Sequence, residues 1–161
     1  MQHGDHQRPL PQRTRCVYFR DTASPCNKRD PGSGCSAIGS FNRTQAILGT
    51  SEHCIASNPL DMNVALVALD ATVHFEDTRG KRSVSFDAFH LDTPDAEAVL
   101  EAGDLVTHVT LPAPVEGARS VYLKLRDRAS YEFALASAGV VIAVKDGRIV
   151  HALKQATSPA V

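Results

Sequence analysis

No run in this 161-residue chain approaches eighteen apolar residues, which excludes a transmembrane helix. The first fifteen residues, MQHGDHQRPLPQRTR, have no apolar core, so the expectation is that the chain carries no secretory signal of its own. Charge of one sign is not in excess either. A formal net charge of −1 argues against a general nucleic-acid binder, which is normally basic. Tryptophan is absent, yet the balance of 43% hydrophobic and 22% charged residues is that of an ordinary soluble domain with a real but modest core. There are no internal repeats, and no Ser/His/Asp or paired-carboxylate constellation that would support hydrolysis. Cysteine is missing from everything after residue 54.

What cysteine there is lies in one stretch. Cys16, Cys26, Cys35 and Cys54 are separated by nine, eight and eighteen residues. Four soft ligands in a segment broken by Pro25, Pro31, Gly32, Gly34 and Gly39 suggest a metal or iron–sulfur site. Repeated turn chemistry of this kind wraps a backbone around something, and peptide N–H groups in such turns can point at sulfur. Disulfides and unrelated buried thiols remain alternatives. The tight C-x2–4-C knuckles of most zinc sites are absent, and so is the common ferredoxin C-x2-C-x2-C run, so spacing alone does not name the metal. Arg13, Arg15, Arg20, Lys28 and Arg29 crowd the same segment, and such cations would stabilise an anionic cluster. His53, next to Cys54, is read as structural or supporting, and His3 and His6 as part of a disordered tail.

Downstream, residues 41–50 read as a short apolar piece ending at Gly49. Residues 60–70 read as a helix after Pro59, with Asp61 near its N-cap and Met62, Ala65, Leu66 and Leu69 on its buried face. ATVHFED and RSVSFD alternate around D-T-R-G-K as a β-hairpin, with His74 on the solvent side. Residues 90–104 are acidic and loop-like, with room for one helical turn. LVTHVTLP is a strand. SVYLKLRDR is another, placing Val121, Leu123 and Leu125 on one face and Tyr122, Lys124 and Arg126 on the other. YEFALASAG is ambiguous between helix and strand entry. VVIAV and RIVHAL form a hairpin about Asp146-Gly147, after which KQATSPAV has no periodicity and the strand is expected to stop at Leu153.

The string QRTRCVYFRDTASPCNKRDPGSGCSAIGSFNRTQAILGTSEHC resembles the FAD-binding subunit of the xanthine dehydrogenase/aldehyde oxidoreductase (molybdenum hydroxylase) family, the type with an extra [4Fe–4S] cluster. YLKLRDRASYEFALASAGVVIAV resembles the start of the same subunit's C-terminal domain, so the resemblance runs from about Gln12 to Ala152. It implies an α+β fold: a partial PCMH-type (vanillyl-alcohol-oxidase-like) FAD-binding domain, then the start of a CO dehydrogenase flavoprotein C-terminal-like domain. The expected divisions are a tail over 1–15, the FAD-binding part over 16–90 with its [4Fe–4S] loop at 16–54, a linker over 91–104 and the C-terminal part over 105–161.

The resemblance also implies Cys16, Cys26, Cys35 and Cys54 as cluster ligands and Asp61 and Lys124 as FAD contacts. Leu60 stands where the family carries Ser, so a hydroxyl contact to the cofactor is missing from the pattern. The implied function is electron transfer through FAD and [4Fe–4S], with a molybdopterin-binding large subunit and a [2Fe–2S] small subunit as partners and substrate oxidation left to the molybdenum subunit. The family's glycine-rich pyrophosphate loop does not precede Gln12, and the expectation is a truncated or frame-disrupted product, or a fragment, inactive alone. Alternatives are a non-catalytic iron–sulfur or zinc-binding module, or a CoA-reductase flavin subunit. Cytoplasmic residence, or export with a partner, is the implied location.

Overall fold

The alternation of Val73 and Phe75 with His74 sets the first sheet. β1 (Thr72–Asp77) turns both hydrophobic side chains inward, where they are 0% and 4% exposed. It pairs antiparallel with β2 (Gly80–Ser85) on one side and β3 (Leu105–Thr110) on the other, giving the order β2-β1-β3. The Asp77 carboxylate closes the hairpin by accepting from the Arg79 and Gly80 amides at 2.7 and 3.2 Å. His74 points away from the core, as expected, and stacks on His108 across the pair with ring centroids 4.2 Å apart. The computed structural model describes residues 10–58 and 60–157, with side chains to 154. His3, His6 and Pro59 lie outside the described residues.

One core forms beneath this sheet from Leu10, Ala71, Val73, Phe75, Phe86, Phe89 and Val106. Phe86 opens a short 3-10 turn (Phe86–Ala88), and its ring lies 5.8 Å from that of Phe89. Leu10 is 1% exposed, so this end of the expected tail is drawn into the core. Residues 91–104 do not run free as a linker. The Val99 amide donates to the Phe89 carbonyl at 3.0 Å, and β3 returns directly to β1. The acidic side chains of this segment are used in ion pairs: Arg82 meets Asp104 at 2.6 Å, and Arg79 meets Glu101 at 2.7 Å. No helical turn forms there.

α2 (Asp61–Ala68) covers the second sheet, which runs β4 (Ala118–Leu125), β5 (Ala136–Lys145), β6 (Arg148–Thr157), all antiparallel. Asp146 and Gly147 both take positive φ, 51° and 72°, as a type I′ hairpin turn demands. The helix face differs from expectation. Val64 and Ala68 are its buried residues, and Leu69 is exposed. The reason is Gly139 on β5: a Cβ there would stand 3.1 Å from the Ala68 Cβ and 3.2 Å from the Val64 carbonyl. Helix backbone and sheet meet where that side chain is missing, and Met62, Leu66 and Val67 serve the other core.

Two further expectations are corrected, and one left open is resolved as strand entry. Residues 41–50 form no element, and Phe41, Ile47 and Leu48 are exposed, because the loop spends its backbone on turns. β6 does not stop at Leu153; Lys154–Thr157 continue opposite Val140–Ser137. Tyr131–Leu135 are irregular, with β5 starting at Ala136. Val121, Leu123 and Leu125 do share a face, but it is the uncovered one, while Tyr122 and Lys124 face the helix. The architecture of small helices beside two antiparallel sheets is the expected α+β class. No helix among the described residues is long and apolar enough to cross a membrane.

Candidate functional site

The cysteine segment folds as a series of turns tied together by polar side chains, because it has too few apolar residues to bury. After Cys16 comes a single helical turn, α1 (Val17–Arg20), which the sequence had not indicated. Asp21 then holds the next bend by accepting from Ser24 Oγ at 2.6 Å and the Ala23 amide at 3.1 Å. The Ser24 hydroxyl, before the Ala23 amide, holds the Asp21 carboxyl below its ordinary value.

Asn27 is the knot of the loop. It is buried, its Nδ2 donates to the His53 carbonyl at 2.7 Å, and its Oδ1 accepts from the Gly32 and Gly34 amides at 3.1 and 2.9 Å. Both glycines have φ near 90°, which lets two successive turns aim their amides at one oxygen. Cys26 and Cys35 are thereby bridged backbone to backbone, and Cys54 is drawn toward them through His53. Thr14 Oγ1 donates to the Ser57 carbonyl at 3.0 Å, and the Cys16 amide donates back to that hydroxyl at 3.3 Å, so the first cysteine is tied to the segment of the last.

All four thiols are free, with Cys16 and Cys26 buried. The disulfide alternative is therefore absent from this structure. Among the described residues, no three His, Cys, Asp or Glu side chains are placed to hold a single metal ion. That spacing is unlike a preformed tetrahedral zinc site. A four-iron cluster would take one cysteine thiolate on each of its four irons, and its ligand sulfurs stand further apart than those around a single ion. The Ala56 amide already donates to the Cys54 sulfur at 3.5 Å, the kind of bond cluster thiolates accept. The donor set thus fits such a group: four unpaired thiols on one stitched loop with an N–H aimed at sulfur.

Most of the nearby cations have other work. Arg29 donates to the Tyr18 and Phe19 carbonyls at 3.2 and 2.8 Å and also to that of Ser24, pinning α1 to the Cys26 turn. Arg20 reaches the Thr14 carbonyl, and Arg15 lies 6.0 Å over the Phe133 ring. Lys28 pairs with Glu97 at 2.8 Å. Burial pushes the Cys54 thiol up, against the Ala56 amide and, less, Lys28.

Beside the loop opens a cleft of about 870 Å³, lined among others by Cys16, Lys28, Asp61, His90, Glu97 and Ser137. Asp61 sits in the first turn of α2 without capping it; no side-chain cap bond forms at Leu60. Its carboxylate accepts instead from Lys124 Nζ at 2.6 Å. The two residues expected to share a cofactor thus touch each other, though they come from α2 and β4. Tyr122, two residues before Lys124 on the same face, joins them. Burial pushes its phenol up, a hydrogen bond to Ser137 acts the other way, and Asp61 reinforces the rise.

Sequence reasoning missed Tyr122 as a partner of Asp61, and it missed Asn27, Thr14, Ser137 and His90. The i, i+2 spacing from Lys124 was the available signal for Tyr122, and G-x-G five residues after an Asn was one for Asn27. His90 packs edge-on against Phe86 and Phe89, with Asn63 Nδ2 donating to its Nε2 at 3.0 Å. Burial holds its imidazole below its ordinary value, against the Glu97 backbone and charge. The unfolded chain then takes up a proton near pH 6.5 that the folded chain refuses. Stability should fall as pH drops through that range, and His90→Gln should flatten the slope in thermal melts between pH 7 and 5. An unchanged slope in the variant would assign the acid sensitivity elsewhere.

Antiparallel sheets with an intervening helix and a charged, cofactor-sized cleft define the class: an α+β ligand-binding fold. Residues 36–114 match the family model described as FAD binding domain in molybdopterin dehydrogenase. Over 137 residues it is 51% identical to the aldehyde oxidoreductase FAD-binding subunit PaoB of Escherichia coli (strain K12), covering 83% of this chain and 43% of that protein. The chain thus spans less than half the length of this relative. The solved Cu,Mo-CO dehydrogenase matches with a TM-score of 0.55 and 28% identity, over 60% of this chain and 33% of that one. Carbon monoxide dehydrogenase from Hydrogenophaga pseudoflava matches equally well, TM-score 0.55, at 25% identity over 65% of this chain and 35% of that one. Quinoline 2-oxidoreductase from Pseudomonas putida 86 shares the fold at 22% identity and a TM-score of 0.52, over 88% of this chain and 49% of that one.

Proposed function

We propose that this chain is a flavin and iron–sulfur electron-transfer subunit of a molybdenum-dependent aldehyde or xanthine oxidoreductase. The observation that carries the proposal is Asp61, held by Lys124 at 2.6 Å, on a cleft that Cys16 also lines. Asp61 offers an acceptor and Ser137 a hydroxyl to the polar parts of FAD, while Val64 and Leu135 supply apolar wall to its ring system. Lys124 stands behind Asp61 and fixes the carboxylate's orientation. When bound, the flavin supplies redox chemistry that exchanges electrons singly or in pairs.

Cys16, Cys26, Cys35 and Cys54 hold a [4Fe–4S] cluster through their thiolates, with Asn27 setting the spacing of the second and third. The chain's residues exclude water and set charge around these centres; they perform no substrate chemistry. Oxidation of aldehyde or purine belongs to a molybdopterin-binding large subunit, and a [2Fe–2S] small subunit carries electrons between. The strong identity to an aldehyde oxidoreductase subunit supports the aldehyde branch.

The test is anaerobic incubation of the full chain with iron, sulfide and FAD, followed by gel filtration and metal, sulfide and flavin assays. Four iron atoms per chain, visible absorbance bleached by dithionite and quenched flavin fluorescence are expected. Asp61→Ala should weaken FAD binding about tenfold, or ~1.4 kcal/mol, with iron content unchanged. Iron retained without any flavin binding would favour a non-catalytic iron–sulfur module, and zinc in place of iron would overturn the cluster.

A further inference from the structure

Two histidines meet on the solvent face of the first sheet. Antiparallel partners share a face, and His74 on β1 stands directly opposite His108 on β3. The imidazoles lie flat on one another, 2° from parallel with centroids 4.2 Å apart. His108 is exposed and His74 half-buried. Neighbours along a regular strand point to opposite faces, yet the side chains of Thr107 and His108 touch. The cause is a bulge. His74 pairs with His108 but Phe75 pairs with Val106, so Thr107 is the extra residue and its side chain is re-aimed. Thr107 Oγ1 donates to the His74 carbonyl at 3.1 Å, which uses its one proton. Toward His108 Nδ1, 3.0 Å away, the same oxygen therefore accepts. In the neutral His108 ring, Nδ1 then carries the proton and Nε2 the free lone pair.

We propose that His74 and His108 form a two-histidine site for a divalent transition-metal ion of the kind imidazole favours, such as zinc, nickel or copper. The site is separate from the flavin and the cysteine loop and does not depend on either. A ligating histidine commonly passes its second N–H to an acceptor that fixes its tautomer and ring orientation, and Thr107 does this for His108. His74 Nε2 meets Thr110 Oγ1 at 2.9 Å. A neutral hydrogen bond in contact with solvent costs little to exchange for a metal. Two imidazole nitrogens, each about 2.0–2.1 Å from one ion, stand roughly 3 Å apart, so the stacked rings need to tilt toward each other. Side chains on an open surface make such movements readily. Among the described residues no further His, Cys, Asp or Glu joins the pair to make a group of three, so water fills the remaining positions. A bound ion ties β3 to β1 and, by binding the folded chain, stabilises it.

The thiols of the cysteine loop also bind such metals, so the readout has to belong to the two rings themselves. The full chain, labelled with nitrogen-15 at histidine, is titrated with Ni2+ under argon while the imidazole resonances are followed by nuclear magnetic resonance. The His74 and His108 signals should broaden together along one binding curve, distinct from those of His53, His90 and His151. In His108→Gln, broadening of His74 should need at least about tenfold more Ni2+, because one ligand of the chelate is gone. Thr107→Val removes the acceptor at Nδ1 and should weaken binding several-fold while leaving both ligands in place. Signals of His74 and His108 that stay sharp into millimolar Ni2+, or that follow separate curves, overturn the proposal. So does a His74 curve unchanged by His108→Gln. Should His108→Gln fail to fold, the shared curve of the parent and its shift in Thr107→Val still decide it.

Discussion

Replacing Asn27 by Ala should dismantle the cysteine loop while leaving both sheets folded. The substitution deletes one donor and one doubly used acceptor, breaking the bonds to His53, Gly32 and Gly34. A neutral hydrogen bond contributes about 1 kcal/mol net, and each buried amide left without a partner costs about 1–3 kcal/mol more. The expected local loss is therefore of order 3–5 kcal/mol, in a segment with few apolar contacts to compensate. Reconstituted iron should fall at least about tenfold, since more than ~1.4 kcal/mol is lost from the arrangement that spaces Cys26, Cys35 and Cys54. Far-ultraviolet circular dichroism should show the sheets melting at close to the parent temperature. Iron content equal to the parent's would mean that the thiols organise the loop without Asn27.

Phe89→Ala should act on the other half of the molecule, and globally. Phe89 is 0% exposed, lies against Phe86 and His90, and accepts the Val99 amide that anchors residues 91–104. Truncating a buried phenylalanine removes its transfer energy and leaves a cavity, together about 3–5 kcal/mol. For a chain of this size that is a large share of the total stability. Chemical denaturation should show the midpoint falling with little change in slope. A loss under about 1 kcal/mol would mean that the core collapses into the space, a limit the cavity cost allows.

Elements with a strict period were readable in advance, and those held by polar side chains were not. β1 and β2 show alternation, and Asp146-Gly147 has a turn chemistry that admits little else, so both hairpins were anticipated. α2 was located within a residue or two, yet its buried face was misread. A helix between two layers buries more than one stripe, and Gly139, seventy residues away in sequence, determines where the closest approach falls. The loop around Cys16–Cys54 has no period at all. Its shape comes from Thr14, Asn27 and Arg29 binding distant carbonyls, which one-dimensional spacing does not encode. Asp61 and Lys124 were identified through family resemblance and stood far apart in the chain; their contact at 2.6 Å is a tertiary fact. Acidic residues 97–104 looked like a solvated connector because their partners Arg13, Lys28, Arg79 and Arg82 come from other segments.

The open face of β4 has a practical consequence for any such measurement. Val121, Leu123 and Leu125 are 55%, 67% and 63% exposed on one side of the sheet. An aliphatic strip of that kind adsorbs amphiphilic fluorophores such as anilinonaphthalene sulfonate in the native state. Dye-based melting curves of this chain should therefore begin bright, and the usual rise on unfolding should be muted or inverted. Spectroscopic probes of the backbone give the true transition, and a mild non-ionic detergent in the buffer keeps the strip from drawing copies of the chain together.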